Sequence, residues 1–322
     1  EQKPKMIDAG RALEALGERA GVKGAPSVYH LGFLLGPRIN AAGRVGHARL
    51  AFTLLTTERA EERASLAERL HVMNAERQAI EARVKDEAIR QVETRGLANK
   101  PVIVVAGEGW HPGVVGIVAG RMKEKYDRPV IVIGVENGIG KGSGRSIEGV
   151  DLGAAVSAAR ADGLLSAGGG HAMAAGLTVD EAMLDQFTAF LETRLADAVA
   201  QARAARTFTV DAVVSAASVS KTLADRVAQA GPFGPANAEP RFVLADMRVA
   251  SAKIVGDGHL ALVLKSEAGE SVRAIAFRAE GEPLGDVLSA GGRLHVAGKI
   301  RADDWRGGDA AQLQIEDAAP AL

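Results

Sequence analysis

The sequence predicts an α/β domain followed by a smaller all-β barrel or sandwich, with a long helix ahead of both. Residues 100–203 alternate short apolar runs with helical ones, which favours a sheet with crossover connections. Residues 204–322 contain short strand-like runs divided by Gly, Pro and Asp, a texture typical of small β domains. Residues 57–93 contain neither Gly nor Pro, which indicates one uninterrupted helix.

Composition limits the class of protein. A chain of 322 residues exceeds what one hydrophobic core usually organises, and 47% hydrophobic content suits packed domains. The sequence has no cysteine, which excludes disulfides and thiolate metal sites, and a reducing cytoplasm is the expected location. No apolar run approaches the roughly 20 residues that span a membrane. The formal net charge of −1 means that any nucleic-acid site must be a local concentration of Arg and Lys.

The chain begins at Glu1 rather than at Met, and residues 4–22 have helical spacing. We therefore expect the tail of an upstream domain here, cut from a longer protein. In the long helix that follows, Leu66, Leu70, Met73, Ile80 and Val84 form a narrow apolar stripe. A helix of this length spans about 50 Å and usually braces two domains or lies along one.

The later elements are assigned from their apolar periodicity. In the α/β region we predict buried strands at 101–107, 128–134 and 173–179, helices at 110–126, 151–160 and 181–202, and a polar strand or loop at 140–146. In the β-rich region we predict six strands, at 207–214, 241–250, 259–266, 272–279, 293–300 and 311–317, and one helix at about 218–230. The segment 231–240, with Phe233 and Asn237, is expected to be a rigid connector.

The segment GKGSGRS places cations and hydroxyls among glycines. Its candidate binding residues are Lys141, Gly142, Ser143, Gly144, Arg145 and Ser146. Glycines let a backbone approach an anion closely, while Lys, Arg and Ser donate hydrogen bonds to it. The alternative is a flexible hairpin with solvated cations. The spacing of a phosphate-binding P-loop is absent.

Two further segments carry a histidine. In GGGHAMAAG the glycines Gly168, Gly169 and Gly170 predict a tight backbone crossing just before His171. This histidine could donate to a phosphate or serve as a structural hydrogen-bonding residue. In WHPGVVGIVAGR, Pro112 predicts the first helical turn, whose free N–H groups suit a phosphate, and Trp110 and His111 stand just before it. Packing against the sheet explains the glycines of that helix equally well.

The segment GPRINAAGR opens with a predicted Gly-Pro break, and the apolar run 31–35 precedes it. Arg38, Asn40 and Arg44 could clamp a phosphate or carboxylate, since guanidinium groups make bidentate contacts. The alternative is a loop that structural ion pairs hold in place.

Several catalytic arrangements are missing from the sequence. The seven histidines are scattered, and the only close Asp pair is Asp303 and Asp304 in a predicted loop. The residues therefore assemble no dinuclear metal centre with paired ligands, and they supply no Ser-His-Asp or Cys-His arrangement.

Taken in order and spacing, GPRINAAGR, the long helix, GEGWHPGVVGIVAGR, GKGSGRS and GGGHAMAAG resemble the RecJ exonucleases of the DHH phosphoesterase superfamily. The resemblance covers essentially the whole chain. It implies the end of a DHH domain at 1–56, a connecting helix at 57–95, an α/β domain of DHHA1 type at 96–203 and an oligonucleotide-binding (OB) barrel at 204–322. It also implies Mn²⁺ or Mg²⁺ held by Asp-x-Asp and Asp-His-His motifs, none of which occurs here.

The resemblance also implies roles for individual residues. Arg38, Asn40 and Arg44 would approach the active cleft, and the GKGSGRS residues would hold phosphates near the 5′ end. Trp110, His111 and His171 with its glycines would face the same cleft. The barrel would guide the strand, with Phe242, Phe277 and Trp305 as candidates for base stacking.

The function implied is 5′-to-3′ hydrolysis of single-stranded DNA in recombination and repair, with the metal ligands outside this chain. This chain alone would bind single strands without cutting them, with single-strand-binding protein and repair helicases as possible partners and no membrane contact. Two alternatives remain open: a phosphatase of short oligonucleotides or phospho-nucleotides from the same superfamily, and a binding module without an enzymatic parent.

Overall fold

The computed structural model describes residues 9–24, 26–234, 236–303 and 310–321. These residues form two compact units, Glu1–Arg206 and Thr207–Leu322, each with its own hydrophobic core. The predicted architecture, an α/β domain, a β-barrel and a long helix, is confirmed. No helix of the described ranges is long and apolar enough to cross a membrane.

The first unit opens with a helical layer. Helices α1 (Gly10–Arg19), α2 (Gly36–Val45) and α3 (Arg49–Thr56) pack on the first half of α4 (Ala60–Thr94). The predicted Gly-Pro break is wrong: a π-helical turn, His30–Leu35, leads directly into α2, because Pro37 occupies the first helical turn, where its missing N–H costs nothing. Helix α3 was not predicted.

The α/β part contains a five-stranded sheet. Its strands are β1 (Ile103–Glu108), β2 (Val130–Glu136), β3 (Ile139–Arg145), β4 (Ala167–His171) and β5 (Ala174–Asp180), in the order β1-β2-β3-β5-β4. Strands β1 and β2 are parallel, and every other pair is antiparallel. The tight crossing predicted at Gly168–Gly170 is a regular edge strand instead.

Helices cover both sides of this sheet. The second half of α4 and helix α5 (Pro112–Tyr126) pack on one face through Val84, Ala88, Val114 and Val118. Helices α6 (Leu152–Ala161) and α7 (Leu184–Ala204) pack on the other. The sheet therefore has an α5 side and an α6 side, and alternate residues of each strand point to opposite sides.

The second unit is a closed barrel. Strand β6 (Ala212–Val213) and helix α8 (Lys221–Gln229) precede it; β6 is much shorter than the strand predicted at 207–214. The barrel strands are β7 (Phe242–Val255), β8 (His259–Lys265), β9 (Ser271–Ala276), β10 (Arg293–Ala302) and β11 (Ala311–Pro320). Pairing of β10 with β7 closes the ring, and helix α9 (Pro283–Ala290), which was not predicted, links β9 to β10. A five-stranded barrel with this helix has the architecture of an OB fold.

Candidate nucleic-acid interface

Arg145 and His171 lie in one row across the sheet. Arg145 pairs with Ala174 on β5, and Ala174 pairs with His171 on the edge strand β4. Paired residues of neighbouring strands point to the same face, and two strand spacings separate these two Cα atoms by roughly 10 Å. The sheet thus presents a guanidinium and an imidazole on one side, the α5 side.

The floor between these two side chains is almost free of side-chain atoms. The next row consists of Ser143, Gly176 and Gly169. A Cβ atom built on Gly169 or Gly176 would meet no heavy atom within 4 Å, so this part of the sheet is open. We call the six residues of the two rows the glycine face: Ser143, Arg145, Gly169, His171, Ala174 and Gly176.

Arg145 is held in place by neutral groups. Its guanidinium donates to the Ser143 Oγ at 3.0 Å and to the Gly144 carbonyl at 2.8 Å. Helix α5 can pass close to Arg145 because Gly116 has no side chain. A Cβ atom at Gly116 would stand only 3.1 Å from the Arg145 guanidinium. No ion pair with a carboxylate occurs at Arg145 or Lys141 within the described ranges, so their positive charge is available to an anion.

The glycines of GKGSGRS serve packing rather than anion approach. Gly142 and Gly144 point to the α6 side, where a Cβ would come within 3.0 Å of Ile133 and Leu177 or of Leu152. Gly168 likewise faces Val156 and Leu165, and a Cβ on Gly170 would meet the backbone of Ala174. Their predicted contact with DNA through this backbone is therefore not supported by the geometry. Gly169 alone of the predicted glycines faces the open side.

Ser146 is not available to a phosphate. Its side chain is buried, and its hydroxyl donates to the Val150 carbonyl at 2.7 Å, which fixes the turn before α6. The strand ends at Arg145, so the alternation that exposes Ser143 and Arg145 stops there. The prediction that this serine binds DNA is wrong for this reason.

Lys141 and His111 meet at a different place, the start of α5. They line a pocket with Gly134, Glu136 and Asn137 at the carboxyl ends of β1 and β2. The Nδ1 atom of His111 accepts a hydrogen bond from the Gly113 N–H at 3.0 Å, so the histidine caps the helix. Lys141 is exposed, and it stands four residues along β3 from Arg145.

Trp110 is a core residue. It is 4% exposed, and its indole N–H donates to the Glu87 carboxylate on α4 at 2.7 Å. A Cβ on Gly107 would strike the indole ring at 2.2 Å, which shows how closely the strand packs on it. Trp110 borders the pocket, but its ring cannot stack on a base.

The three residues of GPRINAAGR do not form one clamp. Arg38 turns to α4, where its Nε donates to the His71 Nδ1 at 3.2 Å, and burial lowers its pKa. Asn40 and Arg44 are exposed and lie one turn apart on another side of α2. Arg44 donates to the Gly113 carbonyl at 3.1 Å, which brings it to the same stretch of α5 that approaches Arg145 at Gly116.

The barrel has an outer face that suits a nucleic-acid strand. Leu260, Leu262 and Leu264 of β8 point into the core, so the intervening residues point outward. Neither β8 nor β9 contains Asp or Glu. The exposed Phe277, just after β9, meets the His259 ring edge-on with centroids 5.1 Å apart. We call these outward residues the barrel outer face: His259, Ala261, Val263, Lys265, Arg273, Ile275 and Phe277.

The other stacking candidates differ from Phe277. Phe242 is 8% exposed and belongs to the barrel core, so its predicted stacking is wrong. Trp305 and Asp304 lie outside the described residues. Gly176 was missed by the sequence reasoning, although the alternation of small and apolar residues in MAAGLTV was the signal that could have revealed it.

The described residues do not fit a metal centre of the kind that the resemblance implies. No group of three or more His, Asp or Glu side chains within those ranges is placed to hold a metal ion. We therefore derive no chemical step through a metal from these residues.

Comparison with known proteins agrees with this architecture. A model of the DHHA1 domain matches residues 99–197, and a model of the RecJ OB domain matches residues 210–317. The chain thus combines a DHHA1 domain with an OB domain of the RecJ type. Over 90% of its length it is similar to proteins named single-stranded-DNA-specific exonuclease RecJ, and it corresponds to their carboxyl-terminal part.

The relatives show how much of the family the chain spans. It is 33% identical over 293 residues to RecJ of Bacillus subtilis, which covers 90% of this chain and 36% of that protein. It is 34% identical over 310 residues to RecJ of Thermus thermophilus, a match that covers 95% of this chain and 42% of that protein. The crystal structure of Thermus thermophilus RecJ in complex with Mg²⁺ aligns with a TM-score of 0.77 at 30% identity. The alignment covers 97% of this chain and 46% of the crystallised one. The chain therefore spans less than half of these relatives.

Proposed function

We propose that this chain is the strand-binding portion of an exonuclease that degrades single-stranded DNA from the 5′ end. The observation that carries the proposal is the glycine face. It offers an unpaired Arg145 and an exposed His171 above a floor where Gly169 and Gly176 leave room for a backbone. Arginine binds phosphate oxygens with its planar fork, and a floor without side chains lets the strand lie close to the sheet.

Each residue of the site has a defined task in this proposal. Arg145 holds a phosphate near the 5′ end. Ser143 accepts a hydrogen bond from Arg145 and thereby orients the guanidinium. His171 contacts the strand from the other side of the floor. Arg44 of α2, which contacts the start of α5, and Lys141, at the neighbouring pocket, add positive charge to the path.

The barrel favours a long strand over a small nucleotide. The barrel outer face combines Phe277 and His259 for stacking with Lys265 for a phosphate, as expected of an OB fold that binds single strands. Arg273, on the same face, already pairs with Asp303 at 3.6 Å. A phosphatase of short substrates would gain nothing from such a surface. This argues for the exonuclease rather than the phosphatase.

Hydrolysis itself is assigned to residues outside this chain. The solved RecJ relatives are described as complexes with Mg²⁺ or Mn²⁺, and such ions activate water for attack on a phosphodiester. Since no ligand cluster occurs in the described ranges, we propose that this chain binds single strands but does not cut them. A role in recombination and repair in the cytoplasm, with single-strand-binding protein or helicases as partners, is part of the same proposal.

Binding can be tested by fluorescence anisotropy with a 30-nucleotide thymidine strand between 50 and 200 mM salt. We expect binding that weakens steeply with salt, because phosphate contacts release counterions. Arg145→Ala should weaken binding roughly ten-fold and reduce the salt slope by about 0.7, the value of one phosphate contact. Arg160→Ala, which removes an exposed arginine from α6, is the matched control and should bind like the parent chain.

The assignment of hydrolysis has its own test. Residues 1–322 are incubated with a labelled single strand and Mn²⁺, and the products are resolved on a gel. We expect an intact strand. Cleavage by the parent chain that Arg145→Ala abolishes would show that the metal site lies within this chain. Unchanged strand affinity in a folded Arg145→Ala variant would instead remove the glycine face from the binding path.

A further inference from the structure

Three cations form a row on the outside of the barrel. Arg293 of β10 pairs with Arg248 of β7, and Arg248 pairs with Lys265 of β8. Each is followed or preceded by a buried residue, Leu294, Met247 and Leu264 respectively, so all three side chains point outward. Antiparallel neighbours stand about 5 Å apart, which brings three like charges together.

Such a row is unfavourable unless an anion compensates it. Arg293 has its own partner, because both its Nε and its terminal nitrogen donate to the Asp246 carboxylate. Glu267 lies 3.8 Å from the same guanidinium. Within the described residues, Arg248 and Lys265 make no ion pair, because the two nearby carboxylates, Asp246 and Glu267, both pair with Arg293.

The backbone around Asp246 is built to hold this arrangement. Asp246 has a φ of +55°, a backbone conformation that residues other than Gly rarely adopt. It lies where the register between β10 and β7 shifts. Its N–H donates to the His295 Nδ1 at 3.2 Å. The hydrogen bond from Arg293 keeps the pKa of Asp246 below its ordinary value, so this carboxylate stays charged and fixes the arginine. Strained residues of this kind concentrate at functional sites.

The row borders a concave site. The cavity of about 320 Å³ is lined by Arg248, Lys265 and Arg293, by Ser266 and Gly269 of the β8–β9 turn, and by two carboxylates, Asp246 and Glu267. Both carboxylates lie at Arg293, which leaves Arg248 and Lys265 as the cations that an anion can reach. The cavity has the size for one nucleotide, and its cations reach it from three strands.

The cavity also continues the barrel outer face. Lys265 is the last residue of β8 and belongs to both. From Lys265 the row runs away from β9, across β7 to β10. A strand that leaves the outward side of β8 and β9 at this end meets Arg248 next.

We propose that Arg248, Lys265 and Arg293 form an additional phosphate site that carries single-stranded nucleic acid from the barrel outer face across β7 to β10. The inference rests on the proposed strand binding and extends its path beyond β8 and β9. Continuity with a surface of apolar and basic residues favours a nucleic-acid strand over an acidic peptide as the ligand.

The test uses residues 1–322 with Arg248→Ala and Lys265→Ala combined. Affinity for a 30-nucleotide thymidine strand is measured across salt concentrations, and thermal melting verifies the fold. We expect roughly ten-fold weaker binding at low salt and a salt slope smaller by about 1.4, for two lost phosphate contacts. The matched control, Arg160→Ala with Arg226→Ala, removes two exposed arginines from helices α6 and α8 and should keep the parent slope.

The outcomes separate this inference from the function on which it rests. If the parent chain binds no single strand, both are overturned. If the parent chain binds, Arg145→Ala weakens it and the Arg248/Lys265 variant keeps the parent slope, the additional site and the phosphate contact of Lys265 are overturned, and the glycine face stands. If the slope falls by only about 0.7, Lys265 contributes to the barrel outer face alone and the additional site is overturned. If the variant keeps strand binding but loses binding of a polyglutamate peptide, the site belongs to an acidic peptide and the proposal is again overturned.

Discussion

At the scale of the residue, the two sides of one sheet decide which glycines matter for binding. Gly142 faces Ile133 and Leu177 on the α6 side, whereas Gly176 faces open space on the α5 side. Both are strand residues with ordinary backbone angles. The same substitution should therefore have opposite effects at the two positions.

Gly176→Val is expected to leave the melting temperature unchanged or slightly raised, because a β-branched residue suits an open strand position. It should weaken single-strand binding, since the new side chain fills the floor between Arg145 and His171. Gly142→Val should instead destabilise the chain by about 1–3 kcal/mol, the usual effect of overpacking a core. Thermal melting and anisotropy on both variants provide the measurement. Full strand affinity in Gly176→Val would argue against the glycine face.

At the scale of the element, α4 is fastened to α5 by an ion pair from a buried carboxylate as well as by apolar contacts. Arg77 and Glu81, both under 9% exposed, pair with each other one turn apart on α4. The other Glu81 oxygen accepts from the Nε of Arg121 on α5 at 2.7 Å. This contact helps fix α5, the helix whose first turns approach Arg44 and Arg145.

Glu81→Ala should cost about 3 kcal/mol, because it leaves the Arg77 guanidinium buried without a counter-charge. The double variant Arg77→Leu, Glu81→Leu should recover most of that loss, since no charge then remains buried. Urea unfolding monitored by circular dichroism measures both free energies. Equal losses in the single and double variants would mean that packing, rather than charge, is responsible.

At the scale of the whole molecule, the two units have separate cores, and a charged network stabilises the barrel alone. Glu316 of β11 accepts from Lys299 at 2.5 Å and from Arg241 at 2.6 Å. Burial by itself would raise the pKa of Glu316, but these two hydrogen bonds outweigh it and hold the pKa below its ordinary value. A carboxylate whose folded-state pKa is lowered contributes stability above its unfolded-state pKa of about 4.3 and loses it as the pH falls through the folded-state value.

We expect Glu316→Gln to lower the melting temperature of the barrel at pH 7 and to leave the first unit unaffected. The difference from the parent chain should shrink as the pH falls below about 4.3, because the parent carboxylate then becomes neutral as well. Differential scanning calorimetry between pH 7 and pH 3 measures this. A difference that persists unchanged at pH 3 would contradict the pKa argument, and a shift of both transitions would contradict separate unfolding.

Much of the fold followed from periodicity. The long helix, the buried strands β1 and β2 and the barrel strands β7 to β11 carry strong alternation or helical spacing, which local sequence reports directly. Helix α2 and strand β4 were misread because Gly and Pro indicate breaks only on average. Pro37 fits a first helical turn, and Gly168–Gly170 fit a strand on which α6 packs closely.

The candidate site was only partly predictable for a related reason. The residue types of GKGSGRS and GGGH indicated a phosphate contact, but the side of the sheet to which each residue points depends on register, which the sequence does not state. Ser146 and Trp110 were expected at the site and are buried, whereas Gly176 was overlooked and faces it.

By itself, the sequence determined most of the element types and the family resemblance, because both rest on local pattern and on motif order. Only the tertiary structure decided that Arg145 shares a row with His171, that Arg38 turns away from Arg44, and that Arg248 stands between two other cations. These relations arise from pairing between strands and helices distant in sequence, where hydrogen-bond register and core packing select one arrangement among many that the same local preferences allow.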